Sequence, residues 1–327
     1  MNLLLEGKMT TILRYMHYFS GGMLHLLTKL FYSIGLLSFF FLICLWYYQE
    51  RLLFHPHTPS GMDTPDKNPE PMQNPGQMNM QYEDVYFSTS DNVCLHGWFI
   101  KETKKGSDIT ILFFQGNAGN IGLRLPNVLR FVNLCFVNVF IVSYRGYGYS
   151  QGRPSEEGLY LDAQAALKYL LTREDINTSK IFLFGRSIGG AVALDLAWRH
   201  PEQIRGVIVE NTFTCLRDMI FVIMPFLKLF SSVVGIAQRV YMESIEKVFK
   251  IKLPLLYISG LRDTLVPPSH VAALFNASTA SQYRQLHTVA LGTHNTTWRD
   301  GGKDYFKAIL NFIEHVLNIE NHTTCKK

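Results

Sequence analysis

The chain has 327 residues and a formal net charge of +5, with 47% hydrophobic and 17% charged residues. That length can bury a sizeable core, and the balance of apolar to charged residues excludes a disordered chain. Lysine and arginine are scattered rather than gathered into runs, so no nucleic-acid surface is expected.

The first feature in chain order is Leu30–Tyr48, nineteen residues without a charge. As a helix it would extend roughly 28 Å, close to the thickness of a bilayer's hydrocarbon core. Trp46, Tyr47 and Tyr48 stand where an aromatic belt would lie. A cleaved signal peptide is the competing reading. The long preceding region and the bulky Trp-Tyr-Tyr end argue against it. Residues 1–29 therefore read as a short tail, 30–48 as a transmembrane anchor and 49–80 as an extended linker rich in Pro, Asn, Gln and Met, with partial packing against the domain as the alternative. Lys8, Arg14 and Lys29 precede the span and only Arg51 follows closely, which predicts a cytosolic N-terminus. The expected topology is single-pass type II, with the large C-terminal part lumenal or extracellular. N-x-[ST] sequons at Asn177, Asn276, Asn295 and Asn321 would permit glycosylation there.

From residue 81 to 319 the pattern changes. Tyr82–Thr89 and Val93–Ile100 alternate about a short polar turn, as a hairpin would. Apolar strand candidates follow at Ile109–Phe114, Val139–Tyr144, Lys180–Phe184, Gly206–Val209, Pro254–Ser259 and Gln285–Ala290. Helical stretches lie between them, around Asn120–Asn133, Ser155–Thr172, Ile188–Arg199, Pro268–Phe275 and Asp304–Leu317. This alternation predicts an α/β fold with a mostly parallel sheet covered on both faces. Chemistry in such sheets collects at the carboxyl ends of the strands.

After Lys180–Phe184 come Gly185-Arg186-Ser187-Ile188-Gly189-Gly190 and then a helix. This is G-x-S-x-G between a strand and a helix, the setting in which a serine is presented as a nucleophile. Gly185 and Gly189 allow neighbouring chain segments to pass closely. The alternative is a serine that merely caps the helix. A nucleophilic serine needs a base, and the base needs an orienting acid. Asp263 follows strand Pro254–Ser259, and His294 follows strand Gln285–Ala290, in the order expected for this arrangement. Glu210 is the rival acid. His287, His315 and His322 lie within or beyond secondary structure and fit the base less well. Oxyanion donors are expected from the Ile188 N–H and from the loop Gln115-Gly116-Asn117, with the Asn117 N–H favoured.

These residues resemble the α/β-hydrolase superfamily and, within it, a membrane-anchored eukaryotic group of alpha/beta-hydrolase domain-containing proteins. The carriers are GNAGNIGLRLPN at 116–127, YRGYGYS at 144–150, SEEGLYLDAQAALKYL at 155–170, KIFLFGRSIGGAVA at 180–193, VENTF at 209–213 and GTHN at 292–295. The resemblance implies a mostly parallel eight-stranded sheet, type II topology and a triad of Ser187, Asp263 and His294. Relatives usually have His-Gly-Asn where this chain has Gln115-Gly116-Asn117, and Asp-Tyr-Arg-Gly where it has Ser143-Tyr144-Arg145-Gly146. The histidine props the oxyanion loop by hydrogen bonding, a role Gln115 is expected to fill through its amide.

Residues 214–248 read as a small cap, whose Met- and Phe-rich stretch would suit an acyl chain or would simply pack on the domain. The expected activity is hydrolysis of ester or thioester bonds in lipid or acylated substrates, without cofactor or metal. The alternative is a membrane-bound binding protein with a weak or inactive hydrolase domain. The five cysteines form no metal-ligand pattern, and free thiols are expected, with one disulfide among Cys94, Cys135, Cys215 and Cys325 as the alternative in a lumenal domain. The remaining residues, 320–327, read as a tail.

Overall fold

The computed structural model describes residues 2–324, with side chains described for Met9 and residues 22–318. Asn321, His322 and Cys325 fall outside the described side chains. Two compact units divide the chain, one ending at Gln49 and the other beginning at Glu50.

The first unit is almost wholly helical. Helix α1 runs from Asn2 to Leu53, so it contains the expected anchor and extends into residues read as tail and linker. Within it Gly22–Leu53 is long and apolar enough to cross a membrane, its most apolar 18-residue window having a mean hydropathy of 2.0. The helix stops where the first proline of the chain, Pro56, disfavours helical backbone at His55.

The second unit is built on one eight-stranded sheet. Its strands are β1 (Gln81–Ser88), β2 (Cys94–Lys101), β3 (Thr110–Phe114), β4 (Asn138–Val142), β5 (Ile181–Arg186), β6 (Gly206–Glu210), β7 (Leu255–Gly260) and β8 (Arg284–Val289), in the order β1-β2-β4-β3-β5-β6-β7-β8. β1 pairs with β2, and β2 with β4, in antiparallel fashion; every other pairing is parallel. The expected strands all form, within a few residues of their predicted ends.

Helices cover both faces. They are α2 (Leu125–Arg130), α3 (Glu156–Leu171), α4 (Ile188–Arg199), α5 (Leu216–Ile223), α6 (Ser231–Ala237), α7 (Ser244–Val248), α8 (Pro268–Ala277), α9 (Thr297–Asp300) and α10 (Gly302–Thr324). Successive strand residues point to opposite faces, and the core splits accordingly. Leu112, Leu183, Val207 and Leu255 join Leu167 of α3, Val192 of α4 and Leu274 of α8 on one side. Phe113, Phe184, Ile208 and Leu256 join Val128 of α2 and Phe312 of α10 on the other. Burying each such side chain stabilises the fold by roughly 1.5–3 kcal/mol. A strand buried on both faces needs a continuous apolar run, which is why β3 to β7 were plain in the sequence.

The segment after α1 belongs to the second unit. Residues 54–80 carry no regular period, yet they pack onto the domain. Phe54 and Met80 are buried in its core. The Asn68 and Asn120 amides bond reciprocally, at 2.8 and 2.9 Å. Irregular chain held by side-chain hydrogen bonds leaves no mark on hydrophobic periodicity, and so reads as linker.

A buried ion pair braces the loop after β4. Arg145 donates from its backbone N–H and its Nε to Asp162 of α3, at 2.7 and 2.8 Å, and from its two terminal nitrogens to Asp91. Burial pushes the Asp162 carboxyl up to about 6 even with arginine beside it. Removing one partner strands a buried charge. Arg145→Met should therefore cost ~3–5 kcal/mol of unfolding free energy. Arg145→Met combined with Asp162→Asn should recover most of it, because the Asn oxygen still accepts the backbone N–H. Urea unfolding of the detergent-solubilised chain checks this; equal losses in the single and double variants would contradict it.

Candidate active site

Ser187 stands between β5 and α4 with φ 56° and ψ −121°, a strained conformation for a non-glycine residue. Close packing imposes it. A Cβ on Gly185 would lie 2.1 Å from the Gly189 carbonyl oxygen, and one on Gly189 would lie 2.2 Å from the Phe114 oxygen and 2.5 Å from the Gln115 oxygen. Both positions therefore exclude any side chain. The first turn of α4, starting at Ile188, is thereby pressed against the end of β3 and the loop Gln115–Asn117. Gly116 joins the contact, since its Cβ would lie 3.7 Å from the Arg186 oxygen.

Asp263 and His294 meet directly. The His294 Nδ1 lies 2.7 Å from Asp263 Oδ2. The other carboxylate oxygen accepts the Leu265 and Val266 N–H groups at 2.9 and 2.8 Å. Asp263 thus serves twice: one oxygen closes the turn and the other holds the histidine. A carboxylate can only accept, so the imidazole donates through Nδ1 and its Nε2 remains as an acceptor.

Glu210 does not take the place of Asp263. Its carboxyl is fully buried and accepts the Tyr305 hydroxyl. Burial raises its affinity for a proton above that of an ordinary carboxylate. His287 lies in β8, and His315 stacks on Tyr283 with ring centroids 4.1 Å apart.

The residues just after Glu210 connect the site, a role the sequence reading did not assign. The Ser187 N–H donates to the Glu210 oxygen at 3.0 Å, and the Thr212 hydroxyl donates to the Ser187 oxygen at 2.8 Å. Asn211 reaches the other way. Its amide nitrogen donates to the Thr293 and His294 carbonyls at 3.2 and 3.3 Å and to the Thr297 hydroxyl, while its oxygen accepts the Gly260 N–H at 2.8 Å. Two adjacent side chains therefore brace the serine turn and the histidine loop. The sequence signals were a polar Asn-Thr pair directly after an apolar strand and its place in the VENTF motif at 209–213.

Gln115 departs from expectation. It is fully buried, and neither its Oε1 nor its Nε2 has a hydrogen-bond partner among the described residues. The loop is held elsewhere. The Tyr144 hydroxyl donates to the Gln115 backbone oxygen at 3.0 Å, and Arg124 donates to the Ala118 oxygen. Burial and the neighbouring Arg186 charge lower the Arg124 guanidinium to about 9. The Asn117 amide is itself engaged by the Tyr147 hydroxyl at 3.1 Å and by the chain after α1.

Of the sequons, Asn276 and Asn295 are exposed, Asn177 is half-buried with its oxygen accepting from Ser179, and Asn321 lies outside the described side chains. Cys44, Cys94, Cys135 and Cys215 are free thiols. The stretch after Phe213 forms α5, a 3-10 turn over Pro225–Phe230 and α6. It is not packed away: Leu229 and Ile236 are 85% and 83% exposed, and Ile223, Phe226 and Phe230 are exposed as well.

An unpaired buried amide costs the fold, and an apolar side chain of similar shape removes that cost. Gln115→Met should therefore leave stability unchanged or raise it by ~1–2 kcal/mol. Thermal unfolding in detergent checks this, and a clear loss would show that the amide is bonded after all.

The family described as serine aminopeptidase, S33 matches residues 108–244. An alpha/beta hydrolase domain-containing protein of Arabidopsis thaliana, WAV2, is 40% identical over 88% of this chain and 94% of its own. A membrane protein of Saccharomyces cerevisiae, YNL320W, is 36% identical over 82% of this chain and 90% of its own. Among solved structures, an esterase of Pyrococcus furiosus superposes with a TM-score of 0.62 at 23% identity, covering 74% of this chain and 95% of that one. With the family match, these relatives and the mostly parallel sheet, the chain belongs to the α/β-hydrolase superfamily.

Proposed function

We propose that the chain is a membrane-anchored serine hydrolase that cleaves ester or thioester bonds of lipid or acylated substrates. The observation that carries this reading is the His294–Asp263 pair at 2.7 Å, at the same end of the sheet as the strained Ser187 turn. In the proposed mechanism Ser187 Oγ attacks the carbonyl carbon while His294 Nε2 takes its proton. Asp263 holds the ring and stabilises the imidazolium. Asn117 and Ile188 N–H groups receive the oxyanion. His294 then protonates the leaving alcohol or thiol, and water, activated by the same ring, releases the acid from the acyl-enzyme.

The exposed apolar stretch of 223–236 supports a lipid or acyl partner. An exposed apolar surface of this kind would receive an acyl chain without first exposing it to water. The unpartnered Gln115 amide is the one observation favouring a binding protein with little activity.

Ser187→Ala should abolish hydrolysis of acyl esters and thioesters, and Asp263→Asn and His294→Ala should each lower turnover by about 10⁴-fold. Glu210→Gln should be mild, because an amide still accepts the Tyr305 hydroxyl. Turnover by the solubilised chain on ester, thioester and aminoacyl-amide substrates measures this. A severe Glu210→Gln would reverse the choice of acid, and preference for the amide would move the substrate class towards peptides. An inert wild type would favour the binding role.

The positive residues before the span support a cytosolic N-terminus. Protease added to sealed microsomes should therefore spare residues 50–318, and a glycosidase should shift the chain if Asn276 or Asn295 carries a glycan. Digestion of that part in sealed vesicles would contradict the type II orientation.

A further inference from the structure

The Gln115 side chain does not prop the oxyanion loop; the chain leaving α1 does. His55 forms a parallel bridge with Ala118, and its carbonyl accepts the Gly119 N–H at 3.3 Å. The His55 N–H donates to Asn117 Oδ1 at 3.3 Å, and Asn117 Nδ2 donates to the Leu53 carbonyl. The Tyr147 hydroxyl completes the clamp at 3.1 Å. Gly119 is required by this approach: its φ is +79°, and a Cβ there would lie 2.9 Å from the Thr58 oxygen. Phe54 is buried in the same cluster as Tyr144, Tyr147, Phe114 and Ile188. Backbone from outside the sheet thus runs along the loop that faces Ser187.

Resting on the serine-hydrolase reading, we propose that residues 53–58 are a positioning element of the active site. They hold the Asn117 side chain so that its backbone N–H stays aimed at the oxyanion. Asn117 makes both contacts at once, its side chain gripping the strap and its N–H serving the reaction. Loss of a whole oxyanion donor costs about 10²–10³ in kcat, so a donor left in place but loosened should cost part of that. Only the transition state carries the full oxyanion charge, so the loss should fall on kcat rather than KM. The first residues beyond the membrane helix would then belong to the catalytic apparatus, and a disturbance there would reach the site without altering the triad.

The test uses the full chain in detergent. His55→Pro removes the N–H, whereas His55→Ala keeps it; the side chain is exposed in either case. Relative to His55→Ala, His55→Pro should lower kcat on a p-nitrophenyl ester about tenfold, with KM unchanged. Affinity for an alkyl boronic acid, whose tetrahedral adduct places an oxygen in the hole, should fall by the same factor. Fluorophosphonate titration of Ser187 normalises each value to active sites. If His55→Pro does not fold, a cycle of Tyr147→Phe and Asn117→Ala decides. Tyr147→Phe should lower kcat and boronate affinity in the wild type and should have no further effect once Asn117 is alanine. Unchanged kcat per labelled site in His55→Pro, or additive losses in the cycle, would overturn the proposal while leaving the hydrolase reading intact. A wild type that neither labels at Ser187 nor turns over would overturn both.

Discussion

The structure depends on one close passage of backbone against backbone. At the carboxyl end of the sheet, the first turn of α4 comes so near β5 on one side and the end of β3 on the other that Gly185 and Gly189 have no room for a Cβ. That crossing forces Ser187 into a conformation that costs of order 1–3 kcal/mol and that only a well-packed surrounding sustains. The surrounding is the core itself: β3 and β5 are neighbours in the centre of the sheet, buried on both faces. The strain places the serine at the N-terminus of α4, and the same contact lays the loop of residues 115–120 beside it.

The rest of the site is organised around that crossing by polar side chains with more than one partner. Asn211 and Thr212 tie the serine turn and the histidine loop to β6 and β7. Asp263 divides its oxygens between its own turn and His294. Asn117 divides its amide between the oxyanion loop's neighbour Tyr147 and the chain beyond α1. Bonds of this kind contribute modestly one at a time. Shared among separate loops, they keep three segments in one arrangement.

Much of this was legible in the sequence because it follows from local rules. Each buried parallel strand needs a continuous apolar run. The strand-turn-helix around Ser187 needs glycines at fixed spacing, and the following acid and histidine fall after later strands. Other features depend on contacts distant in sequence. Nothing in the residues around Asn68 announces its pairing with Asn120, so how far the chain after α1 packs on the domain was not legible. The Gln115 amide was expected to bond in place of the relatives' histidine, yet none of the described residues partners it. Whether the apolar stretch of 223–236 packs or stays exposed is likewise invisible to composition, since both readings need the same residues.

The central claim is that Ser187 is an activated nucleophile held at the crossing of β3, β5 and α4. Peptide mapping by mass spectrometry, after the solubilised chain is treated with a fluorophosphonate, tests it most directly. The account predicts a single phosphonyl adduct on Ser187, formed in the wild type and lost when His294 is replaced. An unmodified Ser187 peptide, or an adduct that forms equally well without His294, would contradict it.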